Sequence, residues 1–409
     1  MKQLIVQSEA DIVQLALLDN RILLEYASER GEHPGAAGNF YKGRVVNVIP
    51  GMQAAFVDIG LRKNAFLYVD DVLSPHLEKQ PDTKPSIEAL LSAGQELIVQ
   101  VVKEPMGGKG ARVTTHYSLP GRFMVYMPKA GYVAVSKKIS RENERSRLKQ
   151  LGEGLIGKEE GLIIRTVSEG EQEAAVRSDL EWLRFLWSRI LEQAIKQRSP
   201  ALLHRERGMV HRFIRDVFSP EQDELIVARP TEANEIRAYL QELLPGSKPC
   251  IKVYEGDRTL FEAYGVEEQL KQAFSRQIQL ADGGTIVIDE TEALTVIDVN
   301  TASYTGGSSL EETVTRTNVS AAREIARLLR LRDMGGIIIV DFIDMEEEHS
   351  RELVLSAMEE IISKDRTKCV VLGWTRLGLL EITRKMERDP AANPYRRICK
   401  ACSGKGITS

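Results

Sequence analysis

The chain has 409 residues, 43% of them hydrophobic and 28% charged, and a net charge of -4. This is a globular composition, long enough for roughly two to four domains. It excludes a globally basic nucleic-acid binder, so any such site has to be a local patch. No apolar run reaches the roughly 18 residues that a membrane-spanning helix needs.

The N-terminal segment "MKQLIVQSEADIVQLALLDN" has acids inside its apolar stretch and no small-residue cleavage site. It reads as mature sequence rather than a signal peptide. Residues 3–28 alternate apolar and polar, with Asp19-Asn20 as the turn between strands. A Gly/Pro linker, "ERGEHPGAAGN", follows. From Phe40 to about Thr115 come short strands separated by turns, the pattern of a small five-stranded barrel. Residues 117–180 mix strands and loops, including "EGLIIRTVSEG". A helix over 180–198 carries Leu183, Leu186, Trp187, Ile190, Leu191, Ala194 and Ile195 as an apolar stripe. Residues 208–275 mix strand and helix.

In the last third, a strand over 293–299 leads to a turn at Gly306-Gly307. Ser309 and Glu312 have capping-box spacing for the long helix that follows, which stops at Gly335-Gly336. "IIIVDF" is a buried strand. The next helix starts near Glu346 with Asp344 as its N-cap and Glu346 to Glu348 as a solvated first turn. Strand "KCVVLGW" and helix "GLLEITRKMER" complete a βαβαβα pattern, which predicts a mostly parallel sheet.

Chemistry concentrates in "ALTVIDVNTASYTGG". Positions i and i+2 of a strand share a face, so Asp298 and Asn300 point the same way. Asp341 ends the next strand, and neighbouring parallel strands bring the three together. Ligands of open α/β sheets bind beyond those strand ends. Two carboxylates and an amide oxygen are hard donors suited to Mg²⁺ and a substrate phosphate. Strand-end acids also cap helices or pair with cations, and spacing does not separate the two readings.

Two further features stay open on the residues alone. Phe56 and Phe66, flanked by Lys42, Arg44, Arg62, Lys63 and Lys109, are either barrel core or a platform on which single-stranded bases stack. The cysteines are Cys250, Cys369, Cys399 and Cys402, too few for a disulfide framework. "CKACSGKG" offers one CxxC pair, half of a structural zinc site, so it is either redox-active or shared between two protomers.

Together these segments resemble the RNase E/G endoribonuclease family, nearer its short type. "VIDVNTASYTGG" with "EETVTRTNVSAAREIARLLRLRDMGGIIIVDFIDM" resembles the catalytic core, "GNFYKGRVVNVIPGMQAAFVDIGLRKNAFL" the S1 barrel, "GLIIRT" the 5′-phosphate sensor and "CKACSGKG" the zinc-link. The resemblance implies an α/β multidomain fold. An RNase H-like domain (1–37 and 208–273) is interrupted by an S1 (OB-fold) barrel (38–116) and a 5′-sensor domain (117–207). A DNase I-like catalytic domain (274–396) and a zinc-link (397–409) follow. It further implies that Asp298 and Asp341 hold a catalytic Mg²⁺, with Asn300 positioning the ion or the scissile phosphate. Phe56, Phe66 and Lys109 would grip single-stranded RNA. Arg165 and Thr166 would clamp a 5′-monophosphate, with Gly121 and Val125 packing the terminal nucleotide. Cys399 and Cys402 would supply half of an intersubunit Zn²⁺ in a homodimer. Lys400 stands where the family usually has Pro, and the chain ends at Ser409 without the family's small C-terminal domain.

The expected protein is a cytoplasmic, Mg²⁺-dependent, single-strand-specific endoribonuclease. It would process ribosomal RNA precursors and degrade messages, leaving 5′-phosphate and 3′-hydroxyl ends, with stimulation by a 5′-monophosphate. The rivals are a non-catalytic RNA-binding or assembly protein built on the barrel and the zinc-linked dimer, and a DNA nuclease.

Overall fold

The computed structural model describes residues 1–9, 11–30, 35–73, 85–105, 109–291, 293–301 and 310–385. The turn at Gly306-Gly307, the cap at Ser309 and the pair Cys399 and Cys402 lie outside the described residues. Two compact units emerge: one from Met1–Arg30, Pro220–Asn234 and Pro249–Ser409, the other from Gly31–Ser219 and Glu235–Lys248.

The first unit holds two sheets. Strands Lys2–Glu9, Ile12–Asp19 and Ile22–Arg30 form an antiparallel meander. Asn20 and Arg21 turn its second corner at φ 48° and 66°. Such left-handed pairs match the twist of tight hairpins. Glu224–Val227 and then Cys250–Val253 add in parallel beside Lys2–Glu9.

The second sheet has six strands, in the order Gln277–Gln279, Thr285–Glu290, Leu294–Asn300, Gly336–Asp341, Leu380–Arg384 and Cys369–Trp374. Only Leu294–Asn300 and Gly336–Asp341 run parallel; every other neighbouring pair is antiparallel. The expected mostly parallel sheet is therefore corrected. One cause is the antiparallel strands Gln277–Gln279 and Thr285–Glu290 on one side. The other is that the described part of "GLLEITRKMER" is not a helix: Leu380–Arg384 is a strand, paired with Cys369–Trp374. A tight turn makes that hairpin. The Thr375 N–H donates to Leu379 O at 2.8 Å, and Gly378 takes a φ of 82°.

Between these strands runs the helix Leu310–Leu331. Val314, Thr317, Asn318, Ala321, Ala322, Ile325, Ala326, Leu328 and Leu329 are buried at helical spacing. The apolar ones share a core with Ile297, Val299, Ile338 and Val340 of the sheet and Leu23 and Ile226 of the meander. Strand alternation then sends Val296, Asp298, Asn300, Ile337 and Asp341 to the opposite, exposed face. The following helix, Glu348–Ile362, is capped at Glu347 without a side-chain bond, so Asp344 is not its N-cap. Glu311 does that work from the long helix, accepting the N–H groups of Glu346 and Glu347 at 3.3 and 3.2 Å.

The second unit contains a barrel. Phe40–Ile49, Ala54–Asp58, Ala65–Tyr68, Arg112–Thr114 and Glu96–Lys103 pair in turn, and the last returns to pair with the first, closing five strands. Val45, Val57, Leu67, Val99 and Val113 fill the interior. Gly110 makes one closure possible: a Cβ there would stand 2.0 Å from Asn64 O. A four-stranded sheet (Leu119–Pro120, Met124–Met127, Val133–Val135, Gly161–Ile164) carries helices Glu142–Leu155 and Glu173–Lys196. The latter helix starts earlier than the sequence pattern indicated, and Leu191 and Ile195 of its expected apolar stripe are exposed. The buried line instead runs Val176, Asp179, Leu180, Leu183 and Ile190.

Candidate active site

Asp298 and Asp341 are register partners across the one parallel pair of the six-stranded sheet. Both are exposed and lie at or next to the carboxyl ends of their strands. Among the described residues neither meets a lysine or arginine within ion-pairing distance. Asn300 belongs to the same cluster: its Nδ2 donates to Asp298 Oδ2 at 2.6 Å. That bond orients the Asp298 carboxylate and turns the amide oxygen of Asn300 the other way. The chain after Asp341 is fixed from inside. Fully buried Asn318 donates to Ile343 O at 2.7 Å and accepts the Ile343 N–H at 3.1 Å. The sequence pattern left Asn318 unremarked, although a polar amide inside the apolar stripe of a helix is a legible signal.

Two carboxylates on adjacent strands, with an amide beside them, form a hard oxygen donor set. They fit Mg²⁺, which takes one or two carboxylates and leaves positions for water and phosphate. No group of three or more His, Cys, Asp or Glu side chains forms a closed metal cage among the described residues.

On the barrel, Phe56 and Phe66 are partners across neighbouring strands. Their rings sit edge to face at 5.9 Å and 70°. Both are half-buried on the outer surface, not in the core. Arg112 continues the row as register partner of Phe66, its guanidinium held by Asp71 at 3.0 and 2.8 Å. The alternation of "ARVTT" was the signal for it. Lys109 is exposed beside the close approach at Gly110. Lys42 and Arg44 do not join this surface as open cations, because both pair with Glu96 at 3.0 Å. Hydrogen bonds from Ser199 and Lys42 hold the Glu96 carboxyl down to about 2.

A third cluster surrounds Arg165. Its backbone N–H donates to Phe123 O, and its Nη1 donates to Gly121 O at 2.8 Å and Asp216 Oδ1 at 2.7 Å. Thr166 and Ser136 share a hydroxyl–hydroxyl bond of 2.9 Å. The Gly121 turn is built on Asp179, whose carboxylate accepts the N–H groups of Arg122, Phe123 and Met124 at 3.1, 2.8 and 3.3 Å. A Cβ on Gly121 would lie 2.5 Å from that carboxylate. Val125 is half-buried on the adjoining strand. Burial pushes the Asp179 carboxyl up, against those N–H bonds. An acid in the buried line of a helix was readable; Asp216, distant in sequence from Arg165, was not.

A family model, "Ribonuclease E/G family", matches residues 118–387. The chain is 40% identical to Ribonuclease G of Escherichia coli (strain K12) over 410 residues, which covers 99% of this chain and 84% of that protein.

The chain belongs to the ribonuclease E/G family.

Ribonuclease G of Haemophilus influenzae is likewise 40% identical, over 99% of this chain and 83% of its own length. Ribonuclease E of a Nostoc species is 37% identical over 100% of this chain and 59% of its own length. The resemblance seen in the sequence motifs is thus borne out, and with it an RNA-cleaving enzyme with an α/β fold and a five-stranded barrel. No helix among the described residues is long and apolar enough to cross a membrane.

Proposed function

We propose that this ribonuclease E/G family member is a Mg²⁺-dependent endoribonuclease that cuts single-stranded RNA internally, leaving 5′-phosphate and 3′-hydroxyl ends. The observation that carries it is the register pairing of Asp298 with Asp341 on an exposed face, with Asn300 bonded to Asp298. Asp298 and Asp341 would hold the ion, and Asn300 fixes the carboxylate that faces it. Bound Mg²⁺ supplies a water acidified for attack on phosphorus and charge stabilisation for the departing oxygen. Such hydrolysis does not use the ribose 2′-hydroxyl, which accounts for the proposed end groups.

The remaining contacts bind and orient. Phe56 and Phe66 offer two ring faces for unstacked bases, favouring single strands, while Lys109 contributes charge for the backbone. Arg165 and Thr166 are the proposed clamp for a 5′-monophosphate, with Gly121 and Val125 against the terminal nucleotide. Arginine with a hydroxyl suits a terminal phosphate. In domain terms the reading is the interrupted RNase H-like domain, S1 barrel, 5′-sensor and DNase I-like domain set out above. Cys399 and Cys402, outside the described residues, are assigned to a Zn²⁺ shared in a homodimer, and the RNA classes to ribosomal precursors and messages in the cytoplasm.

The test is Asp298→Asn combined with Asp341→Asn. Cleavage should fall by at least about 100-fold, the scale of losing one key electrostatic group, while RNA binding persists. Cleavage at the wild-type rate would remove these residues from the site.

A further inference from the structure

The proposed sensor arginine is not presented to solvent as a mobile side chain. Both hydrogens of Arg165 Nη1 are committed, one to Gly121 O at 2.8 Å and one to Asp216 Oδ1 at 2.7 Å. A guanidinium has five N–H donors in a rigid plane. With Nη1 used, the edge left for a bidentate anion is the side formed by Nε and Nη2. Which edge faces outward is thus decided by the two acceptors on Nη1. One of these, Gly121 O, belongs to the turn that Asp179 builds. The other is a side chain.

Asp216 is itself immobilised. It sits in the last turn of the helix Met209–Val217. Arg215 Nε donates to the same Asp216 Oδ1 at 3.1 Å, and Arg215 Nη1 is anchored on Glu206 Oε1 at 2.8 Å and Pro120 O at 3.2 Å. Buried Arg122 ties down the end of that helix, donating to Arg215 O at 2.8 Å. The Asp216 side chain is only 18% exposed and that of Arg165 26%. In so sheltered a place a carboxylate between two guanidiniums is a firm orienting group. Burial raises the Asp216 carboxyl, but Arg215 and Arg165 overcome this and keep it below the ordinary carboxylate value.

We propose that Asp216 is the positioning residue of the 5′-phosphate sensor, holding Arg165 by Nη1 so that its Nε–Nη2 edge meets the terminal phosphate. Asp216 does not touch the RNA; it acts through Arg165, and Arg215 with Glu206 keeps it in place. The inference rests on the assignment of Arg165 as the sensor.

The experiment compares kcat/KM for one RNA carrying either a 5′-monophosphate or a 5′-hydroxyl, using the full chain as wild type, Arg165→Gln, Asp216→Asn and Asp216→Glu. The readout is the ratio of the two values. Loss of folded enzyme lowers both rates together and leaves the ratio alone. Asp216→Asn keeps the shape but loses the charge, and should lower the ratio roughly five- to tenfold, through KM, as expected for weakening one charge-assisted hydrogen bond. Asp216→Glu, which keeps the charge, should recover part of it. A ratio in Asp216→Asn equal to or above wild type, with Arg165→Gln losing the preference, overturns the role of Asp216 and leaves the sensor standing. A preference that survives Arg165→Gln overturns the sensor itself, and the role of Asp216 with it.

Discussion

Replacing Asn318 by leucine removes one side chain that holds two backbone groups just beyond Asp341. Its amide meets Ile343 O at 2.7 Å and the Ile343 N–H at 3.1 Å, and it is 0% exposed. Leucine fills the same space without a polar atom and keeps water out. Both groups of the half-buried Ile343 then lose their partner, each costing up to about 1–3 kcal/mol where water stays excluded, or at most about 2–6 kcal/mol together. The cost falls on the connection between the strand Gly336–Asp341 and the helix Glu348–Ile362. Hydrogen–deuterium exchange of a peptide over 338–347 reads it directly. A loss of 2 kcal/mol corresponds to roughly 30-fold faster exchange of the Ile343 amide. Cleavage should drop as well, because Asp341 is anchored from this loop. Exchange within about twofold of wild type would refute the role given to Asn318.

Phe66→Ala should weaken binding of single-stranded RNA by about 5- to 160-fold, the range for losing one stacking platform; unchanged affinity would return Phe66 to a packing role. Asp216 gives a pH dependence. Its folded pKa lies below the ordinary carboxylate value, so its contribution to stability is fully present above about pH 4 and is lost as the pH falls through the lower folded value. The difference in melting temperature between wild type and Asp216→Asn should therefore be widest near neutrality and close on acidification. A difference that widens in acid would contradict that sign.

How much of this was legible depended on whether the information was local. Asp298, Asn300 and Asp341 could be read because strand alternation and strand ends are periodic features, and the fold does bring them to one face. The barrel was legible for the same reason, but the outward placement of Phe56 and Phe66 was not, because a barrel phenylalanine at that spacing suits the core equally well. The hairpin ending in Leu380–Arg384 was misread, since Leu379, Leu380, Ile382 and Thr383 suit either period and only the turn at Thr375–Gly378 decides. That error, together with the antiparallel strands Gln277–Gln279 and Thr285–Glu290 that the sequence reading did not single out, made the sheet look mostly parallel. Asp344 was a reasonable cap by type, but Glu311, reaching over from another helix, satisfied the N–H groups first. Ion pairs such as Arg165 with Asp216 join residues far apart in sequence and follow no pattern. Buried polar residues are the intermediate case: Asp179 and Asn318 break the apolar lines of their helices, and each marks a place where a backbone segment near a site is held.

The most direct test is cleavage of a short, fluorescently labelled, A/U-rich single-stranded RNA bearing a 5′-monophosphate, in Mg²⁺ and in EDTA, by wild type and Asp298→Asn. Internal cuts that require both Mg²⁺ and Asp298, with 5′-phosphate and 3′-hydroxyl product ends, are the predicted result. Cleavage that persists in EDTA, or that Asp298→Asn performs at the wild-type rate, would contradict the assignment of the active site.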